Sequence, residues 1–503
     1  MSKPKDILQF KDDISDKDLP LEPILQNTRV SAFLKDKVKL KRFDEWSLIE
    51  RDSFHYWQKR FNVPLLDLAD GSIARHYDFD ELTTLPWLEP EMGSSTDSPS
   101  LPQDYYGGFG TVSIIGIDPK CHKFYPVFKE LELKTETFAL KVLNKKDFAN
   151  DEKRYQHEVE QLKRFNGKAN PHLVTLLASY TFGRNNYSFL FPCADCTLED
   201  FWRKNEPERN AESIKWISSQ LLGIIRAVEV IHEPKHLHAR EDEKRYGRHG
   251  DIKPDNILCY GVKGSSHKRL VVTDLGLSSI HRYDSRTYKP EEGKRIPPNY
   301  RPPECDEKID KGEVSRNFDI WTLGCLFMEQ LVWLLGGDGW LQEFQQDRTT
   351  RHILGFRDIF YNICAKEDYQ GQFPENGKVV FQLKPEVVRW FGKIYDHEQC
   401  SEFIHDVCKT IENDMLLVID RKDNRPTDGT GNRTQIDELA KKFEAFSTRC
   451  LNDEEYCLEK HQKKETPLMK RGAEWELSKK ARDQIRENKT RLPVMIPVNH
   501  DPW

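Results

Sequence analysis

The pattern of apolar residues changes near residue 196, and that change limits the chain to few architectures. Between 104 and 191, runs rich in Val, Ile, Phe and Thr (TVSIIGI, TFALKVL, LVTLLASYTF, NYSFLF) surround one helical stretch around 151–166. Such runs are strand signals. Beyond 196 the spacing becomes helical: Ile214, Ile217, Leu221, Ile225, Val228 and Ile231 keep a 3.6-residue stripe, and DIWTLGCLFMEQLVWLL is apolar almost all round. A helix apolar on every side belongs inside a core. The expected fold class is α+β, with a small antiparallel sheet lobe holding one main helix and a larger helical lobe after it. The junction of two such lobes is where a ligand is expected to bind.

At 503 residues the chain can build its core without a disulfide or metal staple. With 32% charged residues and a net charge of only −6, its surface mixes both signs, so no nucleic-acid partner is expected. The first residues, MSKPKDILQFKDD, lack the apolar core of a secretory signal, and the most hydrophobic run, Ile320–Leu335, is broken by Glu329 and Gln330. These features predict an intracellular, cytoplasmic protein with no membrane span. The basic run LKDKVKLKR at 34–42 reads as a solvated face, with a nuclear address or partner site as the alternative. Eleven irregularly spaced cysteines suggest free thiols, and the lone pair Cys193 and Cys196 in CADC has no second pair to complete a metal site. His232, His236, His238 and His249 crowd a highly charged segment, which favours a solvated insertion, and no structural metal is assigned.

Aromatic anchors at helical spacing, Phe54, Trp57 and Phe61 with Trp46 and Ile49 before them, predict a helical N-terminal extension over 1–92. GSSTDSPSLPQ is too polar and proline-rich to fold, placing a linker at 93–103. A domain over 104–445 follows, then a charged tail over 446–503 that is expected to be surface-packed or partly disordered, with a helix over 472–488.

Four stretches carry chemistry. In YYGGFGTVSII, Gly107, Gly108 and Gly110 let backbone approach a polyanion, and Val112 opens the next strand. FALKVL sets Lys141 in an otherwise apolar strand, where an ammonium needs an anionic partner. YQHEVEQLKRF offers that partner as Glu158, with Val159 and Leu162 on the apolar side of its helix. HGDIKPDNIL gathers Asp251, Lys253 and Asn256 just before an apolar strand.

Taken with TDLGLS, YRPPE, DIWTLG and RKDNRPT in that order, these motifs resemble the eukaryotic protein kinases, and their wording is most similar to the protein kinase-like domains of filamentous fungi. The resemblance implies a bilobal protein kinase fold with an N-lobe over 104–191, a hinge at 192–194 and a C-lobe over 195–445. It implies a kinase that uses ATP and Mg2+ on a protein substrate. Asp251 would orient the attacking hydroxyl, Lys253 would neutralise the phosphoryl group, and Asn256 and Asp274 would hold the metal. Lys141 and Glu158 would serve the phosphates, Phe191 would guard the adenine pocket, and Cys193 and Ala194 would meet the base through their backbone. By the same likeness Glu304 pairs with a buried arginine, Arg425, and Asp319 holds the catalytic-loop backbone.

Four departures bear on function. Tyr105 stands for the first glycine of the phosphate loop. Gly250 stands where many kinases carry arginine, so control by phosphates on Ser278, Ser279, Ser285, Thr287 or Tyr288 is not expected. Pro297 replaces a threonine, which loosens the Ser/Thr assignment that Lys253 favours. EPKHLHAREDEKRYGR is inserted before the catalytic loop and reads as a surface loop. The competing functions are a small-molecule phosphotransferase of aminoglycoside or choline type and a pseudokinase scaffold; YRPPE with DIWTLG argues against the first, and retention of Lys141, Asp251, Asn256 and Asp274 against the second.

Overall fold

A computed structural model describes residues 63–69, 73–88, 104–107, 110–143, 170–183, 187–233, 245–275, 279–282, 299–306, 316–352, 355–364, 378–419, 433–462 and 473–476, with shorter pieces elsewhere. The basic run 34–42, Trp46, Phe54, the linker 93–103, Gly108, Glu158, His236, His238, Pro297 and Arg425 lie outside them. The chain divides into two compact units, one made of residues up to 159 with 176–193, the other of 160–175 with 194 onward.

The first unit holds an eight-stranded sheet. Its strands are β1 (Leu68–Ala69), β2 (Ile73–Phe79), β3 (Trp87–Leu88), β4 (Asp104–Gly107), β5 (Gly110–Ile117), β6 (Phe138–Leu143), β7 (Ala178–Phe182) and β8 (Tyr187–Pro192). They run in the order β1-β2-β7-β8-β6-β5-β3, with β4 paired on β5. A short helix, α1 (Tyr125–Glu130), brings Phe128 against the ring of Phe138. Phe124, Phe138 and Phe189 are fully buried and form the core of this unit. Because side chains alternate along a strand, burial of Phe138 and Leu140 turns Lys141 to the opposite face of β6.

The N-terminal extension differs from the expected helix. Ile49, Trp57 and Phe61 are helical and exposed, but residues 68–88 are strands that belong to the sheet. β2 runs parallel to β7, from Arg75 opposite Ala178 to Phe79 opposite Phe182, so the sheet is not wholly antiparallel. The signal was present: LLDLADGSIARHY places an Asp-Gly pair between two β-branched or aliphatic runs, a hairpin pattern. From the expected helix at 151–166, Val159 and Leu162 are helical and buried.

The second unit is mainly helical. After β9 (Cys196–Thr197) and α2 (Leu198–Lys204), α3 (Ala211–His232) starts where the Asn210 side chain accepts from the Ser213 N–H at 2.8 Å. Its Ile/Leu/Val stripe is buried, and α7 (Ile436–Asn452) packs along it. Between them in sequence come β10 (Arg245–Arg248), β11 (Ile257–Gly261), β12 (Lys268–Val272), β13 (Ser279–Arg282), α4 (Asn317–Arg348), β14 (Tyr361–Cys364), β15 (Lys378–Leu383), α5 (Pro385–Asp396) and α6 (Glu402–Thr410). By length and composition α4 could cross a membrane, yet its apolar window is wholly buried. Its axis breaks at Gly337, whose φ of 67° is open to glycine. The inserted segment is not all loop, since residues 245–248 pair antiparallel with 279–282.

The division expected at 445/446 falls inside α7. Ser447 and Cys450 on that helix, and Tyr456 and Cys457 on α8 (Glu454–Leu458), are buried. Ala473–Glu476, expected as helix, is a strand, β16, that pairs with β15. In CADC, Cys193 is buried, while Cys196 faces Cys259 across β9 and β11 and hydrogen-bonds its thiol.

Candidate active site

The segment joining β10 to β11 is held by one buried carboxylate. Asp319, in the first turn of α4, accepts the His249 N–H at 2.7 Å on Oδ2 and the Gly250 N–H at 2.8 Å on Oδ1. His232, the last residue of α3, reaches the same Oδ2 through Nε2 at 2.8 Å. Burial alone would raise the Asp319 carboxyl, but the His232 hydrogen bond, with His249 and the Gly250 N–H, holds it below the usual range. His249 ties the loop to the next strand end: its Nδ1 accepts from the Asp251 N–H at 3.2 Å, and its Nε2 donates to the Thr273 carbonyl at 2.9 Å. His232 and His249 are thus framework residues, a role the sequence did not indicate.

Gly250 has φ of 82°, a left-handed conformation that costs a side-chain-bearing residue about 1–2 kcal/mol. The turn it makes presents Asp251, which is 2% exposed. Asp251 Oδ2 accepts from Lys253 Nζ at 3.2 Å and from Asn256 Nδ2 at 2.8 Å; Asn256 Nδ2 also reaches the Asp251 carbonyl at 2.8 Å. Oδ1 of the same carboxylate is buried without a hydrogen-bond partner among the described residues. Burial raises the Asp251 carboxyl above its ordinary value; Lys253 opposes this, and the charge of Asp274 adds to it. Asp274 has φ of 63°, rare for a residue with a side chain and common at functional sites.

The donor set suits a hard divalent cation. Asn256 Nδ2 is committed to Asp251, so Oδ1 is the atom with which Asn256 could hold a cation, and Asp274 could add carboxylate oxygens. Two acids close enough to perturb one another are better tolerated beside a cation.

Glu199 of α2 hydrogen-bonds Asp255 at the far side of the loop turn, and that bond, aided by burial and the Asp255 charge, pushes Glu199 up to about 7. A folded-state value above the unfolded one means stability declines as pH rises between about 4.5 and 7. The urea midpoint should therefore drop more between pH 5.5 and 8 in the wild type than in Glu199→Gln. Equal drops would contradict the shared proton.

In the first unit, Gly107 opposes Gly110 at the closing pair of the β4–β5 hairpin, and Val112 lies directly across from Lys141. Phe191 and Pro192 end β8, paired with Ala139 and Phe138. The Cys193 N–H donates to the Thr137 carbonyl at 3.1 Å. In the second unit, Ala194 is half-buried and the next N–H, of Asp195, donates to the Cys259 carbonyl at 2.9 Å.

The arginine paired with Glu304 is Arg433. Its Nη1 and Nη2 grip Glu304 Oε1 and Oε2 at 2.5 and 2.9 Å, its Nε reaches the Leu417 carbonyl at 3.0 Å, and both side chains are buried. RKDNRPT points to Arg425 through its Arg-Pro-Thr run. The better signal was NRTQIDELAKKF, an arginine placed just before an amphipathic helix.

The protein kinase domain family matches residues 123–415, more than half of the chain. The chain is similar to the probable serine/threonine-protein kinase dyrk2 of Dictyostelium discoideum, 29% identical over 224 residues, 44% of this chain and 21% of the relative. It is similar to cyclin-dependent kinase 14 of Homo sapiens, 27% identical over 158 residues, 31% of this chain and 29% of the relative. With serine/threonine-protein kinase MPS1 of Encephalitozoon cuniculi it shares 28% identity over 192 residues, 38% of this chain and 28% of the relative. The chain spans less than a third of the length of these relatives. Family match, bilobal α+β architecture and a catalytic-type loop hung from Asp319 agree: the chain belongs to the protein kinase domain family.

Proposed function

We propose that the chain transfers the γ-phosphate of ATP to Ser or Thr hydroxyls of a protein substrate. The observation that carries this is the Asp251 carboxylate, one oxygen clamped by Lys253 and Asn256 and the other buried with no partner among the described residues. An unpaired buried carboxylate oxygen costs stability unless a donor arrives, and a substrate hydroxyl is such a donor. Oδ1 accepts the hydroxyl hydrogen and aims the oxygen at phosphorus, while Lys253, 3.2 Å from Oδ2, supplies positive charge beside the transferring group. Mg2+, held by Asn256 and Asp274, would neutralise phosphate charge. Lys141 would pair the nucleotide phosphates, with Glu158 as its partner.

Magnesium-dependent ATP turnover with a basic protein acceptor should fall about a hundredfold in Asp274→Ala. Equal rates would favour the scaffold alternative, and stimulation by free aminoglycoside or choline would favour the small-molecule one.

Without an arginine at Gly250, activity is independent of phosphate on the activation segment. Replacing Ser278, Ser279, Ser285 and Thr287 by alanine and Tyr288 by phenylalanine together should leave the rate within about twofold. Abolished activity would refute the independence.

A further inference from the structure

Far along the chain from the catalytic loop, three metal-type ligands converge at the start of α6. Glu402 and His405 are one turn apart on that helix and share a face. His461, just past α8, is returned to them by an antiparallel bridge between Ser401 and Lys460 and by two backbone bonds, Glu402 N–H to the Glu459 carbonyl at 3.2 Å and His461 N–H to the Cys400 carbonyl at 2.9 Å. One ligand atom of each residue lies within 4.8 Å of the other two.

The contacts inside the cluster resemble a ligand set more than a hydrogen-bond network. His461 Nδ1 is 2.9 Å from Glu402 Oε1, yet neither ring nitrogen of His461 makes a hydrogen bond among the described residues. Lone pairs approach without the angle a donor requires. Two ligands of a tetrahedral zinc, each about 2.1 Å from the ion, stand about 3.4 Å apart, within the spread seen here. Behind His405, which is 4% exposed, Asp406 Oδ1 lies 3.5 Å from Nδ1, and Asp406 is in turn held by the Tyr456 hydroxyl at 2.9 Å. A carboxylate behind one imidazole nitrogen orients the other toward a metal. The His405 and His461 rings are stacked with centroids 3.6 Å apart, so closure on one ion needs a ring to tilt. His461, on the segment after α8 and the more exposed of the two, is the ring with room to do so.

We infer that Glu402, His405 and His461 bind one divalent transition ion, zinc by the match of two imidazoles and a carboxylate, with water completing the tetrahedron. Hard cations such as magnesium would prefer an all-oxygen set. The ion clasps residues 459–461 to the start of α6, and its ligands are separate from those proposed for catalysis.

The untagged full chain, stripped with EDTA and dialysed against micromolar zinc chloride, should retain one zinc per chain by atomic absorption. At a hundredfold excess over Kd its melting temperature should rise by roughly 5 °C. His461→Ala and His405→Ala should each weaken zinc binding at least tenfold. Glu402→Gln, at a partly exposed position, gives the same readout if either histidine variant fails to fold. The metal-free melting temperature of His461→Ala should match the wild type. No zinc in the wild type, or wild-type affinity in His461→Ala and Glu402→Gln, which would assign the metal to thiols, overturns the site.

Discussion

Asp251→Asn is expected to lower phosphoryl transfer by about 10²- to 10⁴-fold while the protein stays folded. The substitution keeps the shape and the contact with Lys253 but removes the oxygen that accepts a proton, so alignment survives and its chemical use does not. Stability should hold or rise. The Asp251 carboxyl is raised in the folded protein by burial, so its ionised form costs stability once pH exceeds the ordinary carboxylate value, and the neutral amide escapes that cost. The same direction predicts the acid limb of the rate profile. Only ionised Asp251 can accept the hydroxyl hydrogen, so activity should fall with decreasing pH through a value above that of an ordinary aspartate. A rate profile flat down to the ordinary aspartate range would show that this carboxylate is not the accepting group.

Removing one member of the Glu304–Arg433 pair should cost about 3–5 kcal/mol, the usual loss when a buried charge is left alone. Both Glu304→Gln and Arg433→Ala should shift urea unfolding strongly, and Arg433→Lys should not restore stability, because an ammonium cannot grip both carboxylate oxygens. Arg425→Ala leaves this pair intact and should change stability little. Denaturation curves for the four variants measure this directly. An Arg425→Ala loss equal to that of Arg433→Ala would return the pairing to the residue that the sequence motif suggested.

That contrast shows how far the sequence could be read. The grouping of Asp251, Lys253 and Asn256 was legible because they share one short motif whose spacing is set by local backbone, whereas Asp319, 69 residues from Gly250, was placed on the loop by family resemblance. Arg433 was not legible, since 129 residues separate it from Glu304 and two Arg-Thr-type segments compete for the role. The strands at 68–88 were missed for a related reason: β2 pairs parallel with β7, a hundred residues onward, and local pattern does not report a distant partner. His232 and His249 looked like members of a solvated, histidine-rich insertion, and only the position of Asp319 turns them into supports for the loop. Where the polar residue's partner lies within a few positions the letters suffice; where it lies on another element they do so only through resemblance, as for Asp319 and not for Arg433.

Transfer of label from γ-labelled ATP to a mixture of basic proteins tests the proposed reaction most directly. With magnesium present, acid hydrolysis of the acceptors should yield labelled phosphoserine and phosphothreonine for the wild type, with Asp251→Asn reduced by at least a hundredfold. Equal labelling by the two proteins, or no labelling above background by the wild type, would contradict it.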